Sequence, residues 1–355
     1  MRIAILWPRP RKARWQLGRT NPAEFPDLSD ALLFLEDEGI RVDIEESCGR
    51  PWNPLVKKHE FLSGLDPLRA ARAIARSGRY DALVCIGDAT SYFPFRFRWL
   101  RRPRLPVVLI DPALSLDYPR RKRLQDVVLP KASRVVVYGR CQLDHLREQY
   151  GDKVAATFLY HRMDADFYRP VLPAGQPPGQ PRLVFSIGND YSRDYATLAA
   201  ALPLVAGTSV PPFRTRLQTT RDLPTLPEGV EVCRDNVPYP ALRGLYNQAD
   251  VVVITLRDMI HAGGINSLLE AMSCGRPVVV SGSHGVADYI RHGETAMVVE
   301  PGQPSDLAAA IGRLLSDPVE AARLGANARR FIVEHCSNRL YAKQLAVVIR
   351  QVVEA

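Results

Sequence analysis

The chain has 355 residues, 46% of them hydrophobic and 24% charged, which is typical of a folded protein outside the membrane. This length exceeds one ordinary core and predicts two domains. No apolar run is long enough to span a membrane, and the apolar part of Met1–Pro8 is too short for a signal peptide. The six cysteines are scattered without a Cys-x-x-Cys pair, which predicts reduced thiols in a cytosolic protein.

The formal net charge of +9 is concentrated in the first half of the chain. Residues 1–170 contain 30 Lys and Arg against 21 Asp and Glu, whereas residues 171–355 contain 17 of each class. The densest basic stretches are Phe95–Arg104 and Arg120–Arg123. Such a surface attracts anionic partners, namely membrane lipid, nucleic acid or a phosphorylated acceptor, unless it is only a solvated face. The aromatic residues between the arginines of the first stretch favour contact with an anionic membrane surface.

Short apolar strands alternate with helical patterns through the first half of the sequence. This rhythm is typical of a parallel sheet covered by helices on both faces. The predicted helices include Leu28–Glu38 and Pro67–Ser77. The predicted strands are Ile3–Trp7, Val42–Glu45, Ala82–Ile86, Val107–Ile110 and Arg134–Tyr138.

A proline-rich stretch, Pro170–Pro181, separates this half from a second one with the same rhythm. It has five prolines and two glycines in twelve residues and is predicted to be a linker. The predicted strands that follow are Leu183–Ile187, Thr215–Thr219, Val230–Cys233, Val251–Thr255, Pro277–Ser281 and Met297–Val299. The predicted helices are Tyr195–Leu204, Tyr239–Asn247, Ser267–Cys274, Pro304–Leu315, Pro318–Glu334 and Asn338–Val353.

The fold class is therefore α/β, with two Rossmann-like doubly wound domains facing a central cleft. The first domain is predicted to span residues 1–169 and the second residues 182–337, with residues 170–181 as the linker. Residues 338–355 form a final helix that could return to the first domain.

The segment between Val251 and Ser281 carries the main chemical signal. Gly263 and Gly264 precede a predicted helix, so a ligand can approach the backbone there, and the unpaired amides at a helix start favour an anion such as a diphosphate. Glu270 lies in the same helix, and a carboxylate accepts two hydrogen bonds at once, as a ribose diol requires. The alternative is a glycine turn before a helix with a solvated glutamate.

The sequence from Gly263 to Ser281, with Glu-Ala-Met-Ser-Cys-Gly-Arg-Pro-Val-Val from Glu270, resembles the signature of the retaining glycosyltransferase family 4, in the group 1 glycosyl transferases. Further landmarks agree in order and make the resemblance strong over residues 160–345. It implies a GT-B fold and sugar transfer from a nucleotide-diphosphate sugar with retention of anomeric configuration. These landmarks are Asp164–Pro170, Leu183–Gly188, Leu242–Asp250, His292–Pro301 and Asp306–Ile311.

The resemblance also implies roles for single residues. Glu270 would bind the nucleotide ribose, and the backbone of Gly263, Gly264 and Ile265 would contact the diphosphate and the sugar. Arg193 would place positive charge on the diphosphate, unless it is a surface residue paired with a neighbouring aspartate.

The expected site also includes three further residues, two of them in a glycine turn and one next to Ile265. Gly188 falls where the family keeps a glycine turn, and Asn189 replaces the first basic residue of that turn. Asn266 follows Ile265 in the substrate-binding segment.

The chain departs from the family pattern at Ala262, where the family has a glutamate that contacts hydroxyls of the transferred sugar. His261 or Asp258 could substitute, although a histidine in a loop is more often solvated. In the first domain, Asp111 follows a predicted strand at the position from which the family orients the acceptor or the sugar, unless Asp111-Pro112 is only a turn. The resemblance thus implies Asp111, Arg193 and Glu270 as the catalytic residues.

We expect a UDP- or GDP-sugar as donor, no other cofactor and no required metal. The expected acceptor is anionic, lipid or glycan, and the expected location is the cytoplasm, with peripheral membrane contact through the basic half. The main alternative is a non-catalytic nucleotide-sugar-binding protein, because of Ala262 and Asn189. A nucleotide-sugar epimerase is disfavoured by the landmarks, and nucleic-acid binding by the lack of any recognition motif.

Overall fold

A computed structural model describes residues 1–8, 20–26, 34–45, 65–97, 105–110, 114, 119–171 and 180–355. Contacts within the chain divide it into two units. The first unit contains the described residues of 1–22 and 27–162, together with Asn338–Ala355. The second contains Ala23–Pro26 and the described residues of 163–337.

The first unit is built on a parallel sheet with the strand order β2-β1-β3-β4-β5-β6. The strands are β1 (Arg2–Leu6), β2 (Arg41–Glu45), β3 (Ala82–Ile86), β4 (Val107–Ile110), β5 (Arg134–Val137) and β6 (Ala156–Phe158). Its described helices are α1 (Phe34–Asp37), α2 (Pro67–Ala75), α3 (Asp88–Phe97), α4 (Pro119–Val128), α5 (Arg140–Tyr150) and the final helix α11 (Asn338–Glu354).

The final helix completes the core of the first unit. Tyr341, Leu345 and Ile349 of α11 are buried in one cluster with Ile3 and Ile5 of β1. Strands β1, β3, β4 and β5 are buried and mostly apolar along their length, as is typical where helices cover both faces of a parallel sheet.

The second unit is also built on a six-stranded parallel sheet, in the order β12-β11-β10-β7-β8-β9. Counted along the chain from β7, this is the Rossmann order 3-2-1-4-5-6. The strands are β7 (Arg182–Ile187), β8 (Phe213–Gln218), β9 (Val230–Cys233), β10 (Val251–Ile254), β11 (Val278–Ser281) and β12 (Met297–Val299). The helices are α6 (Tyr195–Ala206), α7 (Tyr239–Gln248), α8 (Ile265–Ser273), α9 (Pro304–Ser316) and α10 (Pro318–His335).

The predicted α/β class with two doubly wound parallel sheets is confirmed. The named strands occur within two residues of their predicted limits. The sequence analysis missed β6, because Ala156–Phe158 is a half-buried edge strand of three residues without an apolar run. Of the predicted helix over Leu28–Glu38, the described residues show α1, and residues 28–33 lie outside the described part of the chain.

The chain divides earlier than predicted, at residue 163 rather than 170. Arg329 of α10 donates to the carbonyl oxygens of Ala165, at 2.7 Å, and Tyr168, at 3.0 Å. Asn247 of α7 donates to the carbonyl of Arg169 at 3.1 Å. These hydrogen bonds hold residues 165–169 on the second unit. They join residues far apart in the chain, so the sequence pattern does not reveal them. Residues 172–179 of the predicted linker lie outside the described residues.

Candidate functional site

The carboxyl ends of β7 and β10 mark the switch point of the second sheet. The two strands are neighbours, and the connections that follow them lead to α6 and α8. Their loops pair through Arg193 and Leu256, with a hydrogen bond of 2.8 Å from the Arg257 amide to the Ser192 carbonyl. In doubly wound sheets, ligands bind in the crevice outside such a switch point.

Helix α8 begins at this switch point with a glycine. Gly264 is its N-cap, with φ of +74°, and no side chain caps the helix. A Cβ atom at Gly264 would lie 2.8 Å from Cδ2 of Leu256, so both the backbone conformation and the space require glycine. The first-turn amides of an uncapped helix favour an anion. The helix begins two residues before the predicted Ser267, because Gly264 supplies the turn.

Arg193 lies buried beside this helix start, with 3% of its surface exposed. Its Nη2 donates to Oγ of Ser267 at 2.8 Å, whereas its buried Nε and Nη1 have no hydrogen-bond acceptor among the described residues. Burial lowers the pKa of the guanidinium, because charge is costly away from water. The alternative of a solvated surface arginine is therefore wrong. A buried cation with two unpaired nitrogens would be stabilised by an anion.

Gly188 provides the space that the Arg193 guanidinium occupies. A Cβ atom at Gly188 would lie 2.1 Å from Nε of Arg193. The carbonyl of Gly188 accepts hydrogen bonds from the hydroxyls of Tyr195, at 2.6 Å, and Thr219, at 2.7 Å. The glycine turn is thus fixed at the carboxyl end of β7, beside the Arg193 guanidinium.

Glu270 is held within α8 by a buried tyrosine. The Tyr246 hydroxyl donates to Oε2 of Glu270 at 2.8 Å, and the ring of Tyr246 packs edge-on against those of Tyr168 and Phe185. Burial raises the pKa of the Glu270 carboxyl from 4.5 to about 7, although the Tyr246 hydroxyl and the Arg193 charge favour the ionised form. A carboxylate fixed in this way has lone pairs left to accept hydrogen bonds from a diol.

Sequence reasoning missed Tyr246, Tyr168 and Ser267 as members of this site. Tyr246 falls within the landmark Leu242–Asp250, and that resemblance was the available signal for it. The contact of Ser267 with Arg193 joins residues 74 positions apart and has no signal in the sequence.

His261 lies between the two loops. Its ring stacks on Tyr191, with centroids 5.7 Å apart, and its Nε2 lies 3.9 Å from Oδ2 of Asp190. The Nδ1 atom is buried without a hydrogen-bond acceptor or donor. The adjacent Gly263 permits this packing, because a Cβ there would lie 2.1 Å from Oγ of Ser192. The imidazole is therefore built into the site rather than solvated.

Four other predicted positions border the start of α8 or its neighbouring loops. Ala262 is buried, Ile265 is the buried first residue of α8, and Asn266 is exposed on that helix. Asn189 is exposed, and its Oδ1 accepts hydrogen bonds from the amide of Thr220, at 2.7 Å, and the hydroxyl of Thr219, at 3.1 Å. Asn189 thus ties the loop after β7 to the loop after β8.

Asp258 is engaged in hydrogen bonds with His284, so it is not available to replace the glutamate that the family has at the position of Ala262. Its Oδ1 accepts hydrogen bonds from the backbone amide of His284, at 3.0 Å, and is 2.7 Å from Nδ1 of that histidine. Burial would raise the pKa of Asp258, but these hydrogen bonds outweigh it and lower the pKa. Of the two substitutes considered, His261 is the one built into the site.

The first-unit candidates fall largely outside the described residues. These include Asp111 and residues 98–104 of the basic stretch Phe95–Arg104. Within α4, Lys122 and Arg123 are exposed, and Lys122 pairs with Asp126 at 3.3 Å. No described helix is both long and apolar enough to cross a membrane.

Part of the chain that contains most of this site matches a known protein family. Residues 196–317 match the family of Glycosyl transferases group 1. The match contains Tyr246, Gly263, Gly264 and α8 with Glu270, and it begins three residues after Arg193.

A curated relative agrees with this result. The chain is 37% identical over 113 residues to the MMP alpha-(1->4)-mannosyltransferase of Mycolicibacterium hassiacum. The alignment covers 32% of this chain and 27% of that protein. The chain thus matches about a quarter of the length of this relative.

Solved structures show the fold over the whole chain. The sucrose-phosphate synthase of Thermosynechococcus elongatus has a TM-score of 0.77 at 18% identity, covering 99% of both chains. Anabaena HepE in complex with UDP and glucose has a TM-score of 0.69 at 17% identity, covering 99% of this chain and 100% of that one. At this identity the likeness establishes the predicted GT-B fold.

Proposed function

We propose that this protein is a glycosyltransferase that uses a nucleotide-diphosphate sugar as donor. The observation that carries the proposal is the arrangement around α8, where Glu270 and the buried Arg193 flank an uncapped helix start at the switch point of the sheet. Each part suits a different group of the donor. The group 1 family match and the UDP complex of the structural neighbour HepE support the same donor class.

The donor's ribose and diphosphate are assigned to different atoms of the site. Glu270, oriented by Tyr246, would accept hydrogen bonds from the two ribose hydroxyls. The first-turn amides of α8 and the nearby charge of Arg193 would stabilise the diphosphate. His261 and the backbone at Ala262 would contact the transferred sugar.

The proposed reaction proceeds with retention of anomeric configuration and without a required metal. The bond from the anomeric carbon to the diphosphate breaks, and the acceptor oxygen bonds to that carbon on the face that the diphosphate leaves. The acceptor proton passes to the departing diphosphate oxygen. Arg193 and α8 stabilise the charge that develops on the leaving group, so the protein itself supplies the required positive field.

The proposed acceptor is anionic, lipid or glycan, and it would bind through the first unit, where all the excess positive charge lies. Asp111 would orient the acceptor or the sugar. The same charge would hold the protein at an anionic membrane surface. Neutralising Arg101, Arg102 and Arg104 should then weaken sedimentation with anionic liposomes, and equal sedimentation of variant and parent would argue against membrane contact.

A non-catalytic nucleotide-sugar-binding protein is the second candidate function. The specific observation in its favour is the buried Ala262 in place of a sugar-binding glutamate. Such a protein would bind the donor and transfer nothing.

The test combines binding with turnover. UDP- and GDP-sugars should raise the melting temperature of the full chain, and Glu270→Gln should remove most of this effect. The matched control is Glu300→Gln, which changes an exposed glutamate of the same unit. Lack of stabilisation by every nucleotide sugar would refute the donor assignment.

Turnover is then measured with stabilising donors and an acceptor panel that includes glycans, lipids and phosphorylated sugars. Product with the donor's anomeric configuration, formed equally with and without EDTA, is the expected result. Binding without transfer or hydrolysis would favour the non-catalytic candidate, and an inverted product would refute retention.

A further inference from the structure

A cavity of about 180 Å³ lies at the edge of the second sheet opposite the switch point. Its lining includes Arg182, the first residue of β7, together with Asp250 and Pro277, which immediately precede β10 and β11. Because all three strands are parallel, these residues mark the amino ends of the strands. Glu270 and Arg193 are associated with the carboxyl ends, so the cavity is distinct from the candidate donor site.

The charged groups of this cavity do not balance. Arg182 pairs with Oδ1 of Asp250 at 2.8 Å, and the other oxygen of Asp250 accepts the Leu183 amide at 2.7 Å. The second cation, Arg276, donates through Nη1 to the Asn247 carbonyl at 3.2 Å. No carboxylate pairs with Arg276 among the residues that the structure describes, which leaves one uncompensated positive charge.

Arg276 is incompletely bonded as well as unpaired. Its Nε is buried and has no hydrogen-bond acceptor in the part of the chain that the structure describes. Burial lowers the pKa of its guanidinium, although the charge of Asp250 opposes this effect. A partly desolvated guanidinium is stabilised by a carboxylate or phosphate, which can accept two of its N–H groups.

The rest of the lining is mainly apolar, apart from the exposed Gln248. It includes Leu314 and Leu315 at the end of α9 and Ala321 near the start of α10. Ala322 also lines the cavity and is exposed, which places it where the cavity meets solvent. The cavity is smaller than sites for drug-sized ligands, which occupy about 300–1,000 Å³.

We propose that this cavity binds a small organic anion, with its carboxylate or phosphate on Arg276 and its carbon skeleton against the leucines. This site goes beyond the proposed sugar transfer and does not depend on it. Its ligand would contact the segment that follows α8, because Gly275 and Arg276 come directly after that helix and its Cys274 C-cap.

The test is calorimetric titration of the full chain with two probes, glycerol 3-phosphate and pyruvate, at constant ionic strength. Saturable binding of at least one probe is expected, and the stronger probe identifies the preferred anion. Saturating UDP should leave this binding unchanged. No saturable binding of either probe, or displacement of the probe by UDP, would overturn the proposal.

Two sets of variants locate the binding. Arg276→Gln should weaken it at least tenfold, whereas Arg313→Gln, at an exposed arginine of α9, should not. Ala322→Glu and Ala322→Lys form a matched pair that decides the question if Arg276→Gln fails to fold. The glutamate should weaken anion binding and the lysine should preserve or strengthen it, and equal affinity of the pair would contradict the assignment.

Discussion

Glu270 should make donor binding depend on pH near neutrality. Its pKa is raised to about 7, yet the proposed contact with the ribose hydroxyls requires the ionised carboxylate. If only the ionised form binds, affinity for UDP-glucose or GDP-mannose falls as pH decreases through 7. From pH 8 to pH 6 the expected loss is about tenfold, or about 1.4 kcal/mol.

Calorimetry in two buffers of different ionisation enthalpy measures this linkage directly. At pH 6.5 roughly three-quarters of the free protein carries the Glu270 proton, so binding should release about three-quarters of a proton per site. Nucleotide sugars suit the assay, because their diphosphate is esterified at both ends and does not titrate in this range. Glu270→Gln should bind more weakly, and its affinity should be independent of pH.

Glu270 gives folding stability a pH dependence opposite to that of donor binding. A carboxyl with a raised folded-state pKa contributes stability that is present below its unfolded pKa and is lost as pH increases through the folded value. A rise from 4.5 to about 7 corresponds to at most about 3 kcal/mol. Glu270→Gln should therefore melt above the parent at pH 8, with a smaller difference at pH 5.

The role of Glu270 in donor binding would be refuted by either of two results. One is a donor affinity of the parent that does not change between pH 6 and 8, and the other is a Gln variant whose donor affinity changes with pH as steeply as that of the parent.

Two further substitutions test the residues around this carboxylate. Gly188→Ala places a Cβ where the Arg193 guanidinium lies, so it should lower the free energy of unfolding by roughly 1–3 kcal/mol and also weaken donor binding. The control is Gly244→Ala, at a helical position with open space around it, which should be neutral or stabilising in thermal melts. Unimpaired donor affinity in Gly188→Ala would contradict the role of Arg193. Tyr246→Phe removes the hydrogen bond that favours ionised Glu270, so the midpoint of the pH profile of donor binding should move upward; an unchanged midpoint would show that the hydroxyl does not control the carboxyl.

The sequence predicted the sheet strands better than the helix starts of the site. Runs such as Val251–Ile254 are identifiable because a doubly covered parallel strand is apolar throughout. The helix α8 was predicted to begin at Ser267, whereas it begins at Ile265, after the N-cap Gly264 in a left-handed conformation. The lack of space for a Cβ beside Leu256, which requires glycine at this position, depends on a tertiary neighbour that periodicity does not reveal.

The site itself was predictable in part. The Glu270 signature and its glycines were identifiable because they follow one another along the chain. The burial of Arg193 depends on space left by Gly188 and Gly264, and the orientation of Glu270 depends on Tyr246. These relationships join distant segments, so a single sequence gives the residue types without the contacts.

The position of α11 has a consequence for protein synthesis. Helix α11 is the last element of the described chain, yet Tyr341, Leu345 and Ile349 complete a core that begins with Ile3 and Ile5. During vectorial synthesis the first sheet therefore emerges without one of its covering helices and keeps an apolar face exposed until Asn338–Glu354 has left the ribosome. Chaperone dependence and sensitivity to C-terminal truncation should therefore concentrate in the N-terminal sheet, although the deleted residues lie more than 300 positions from β1.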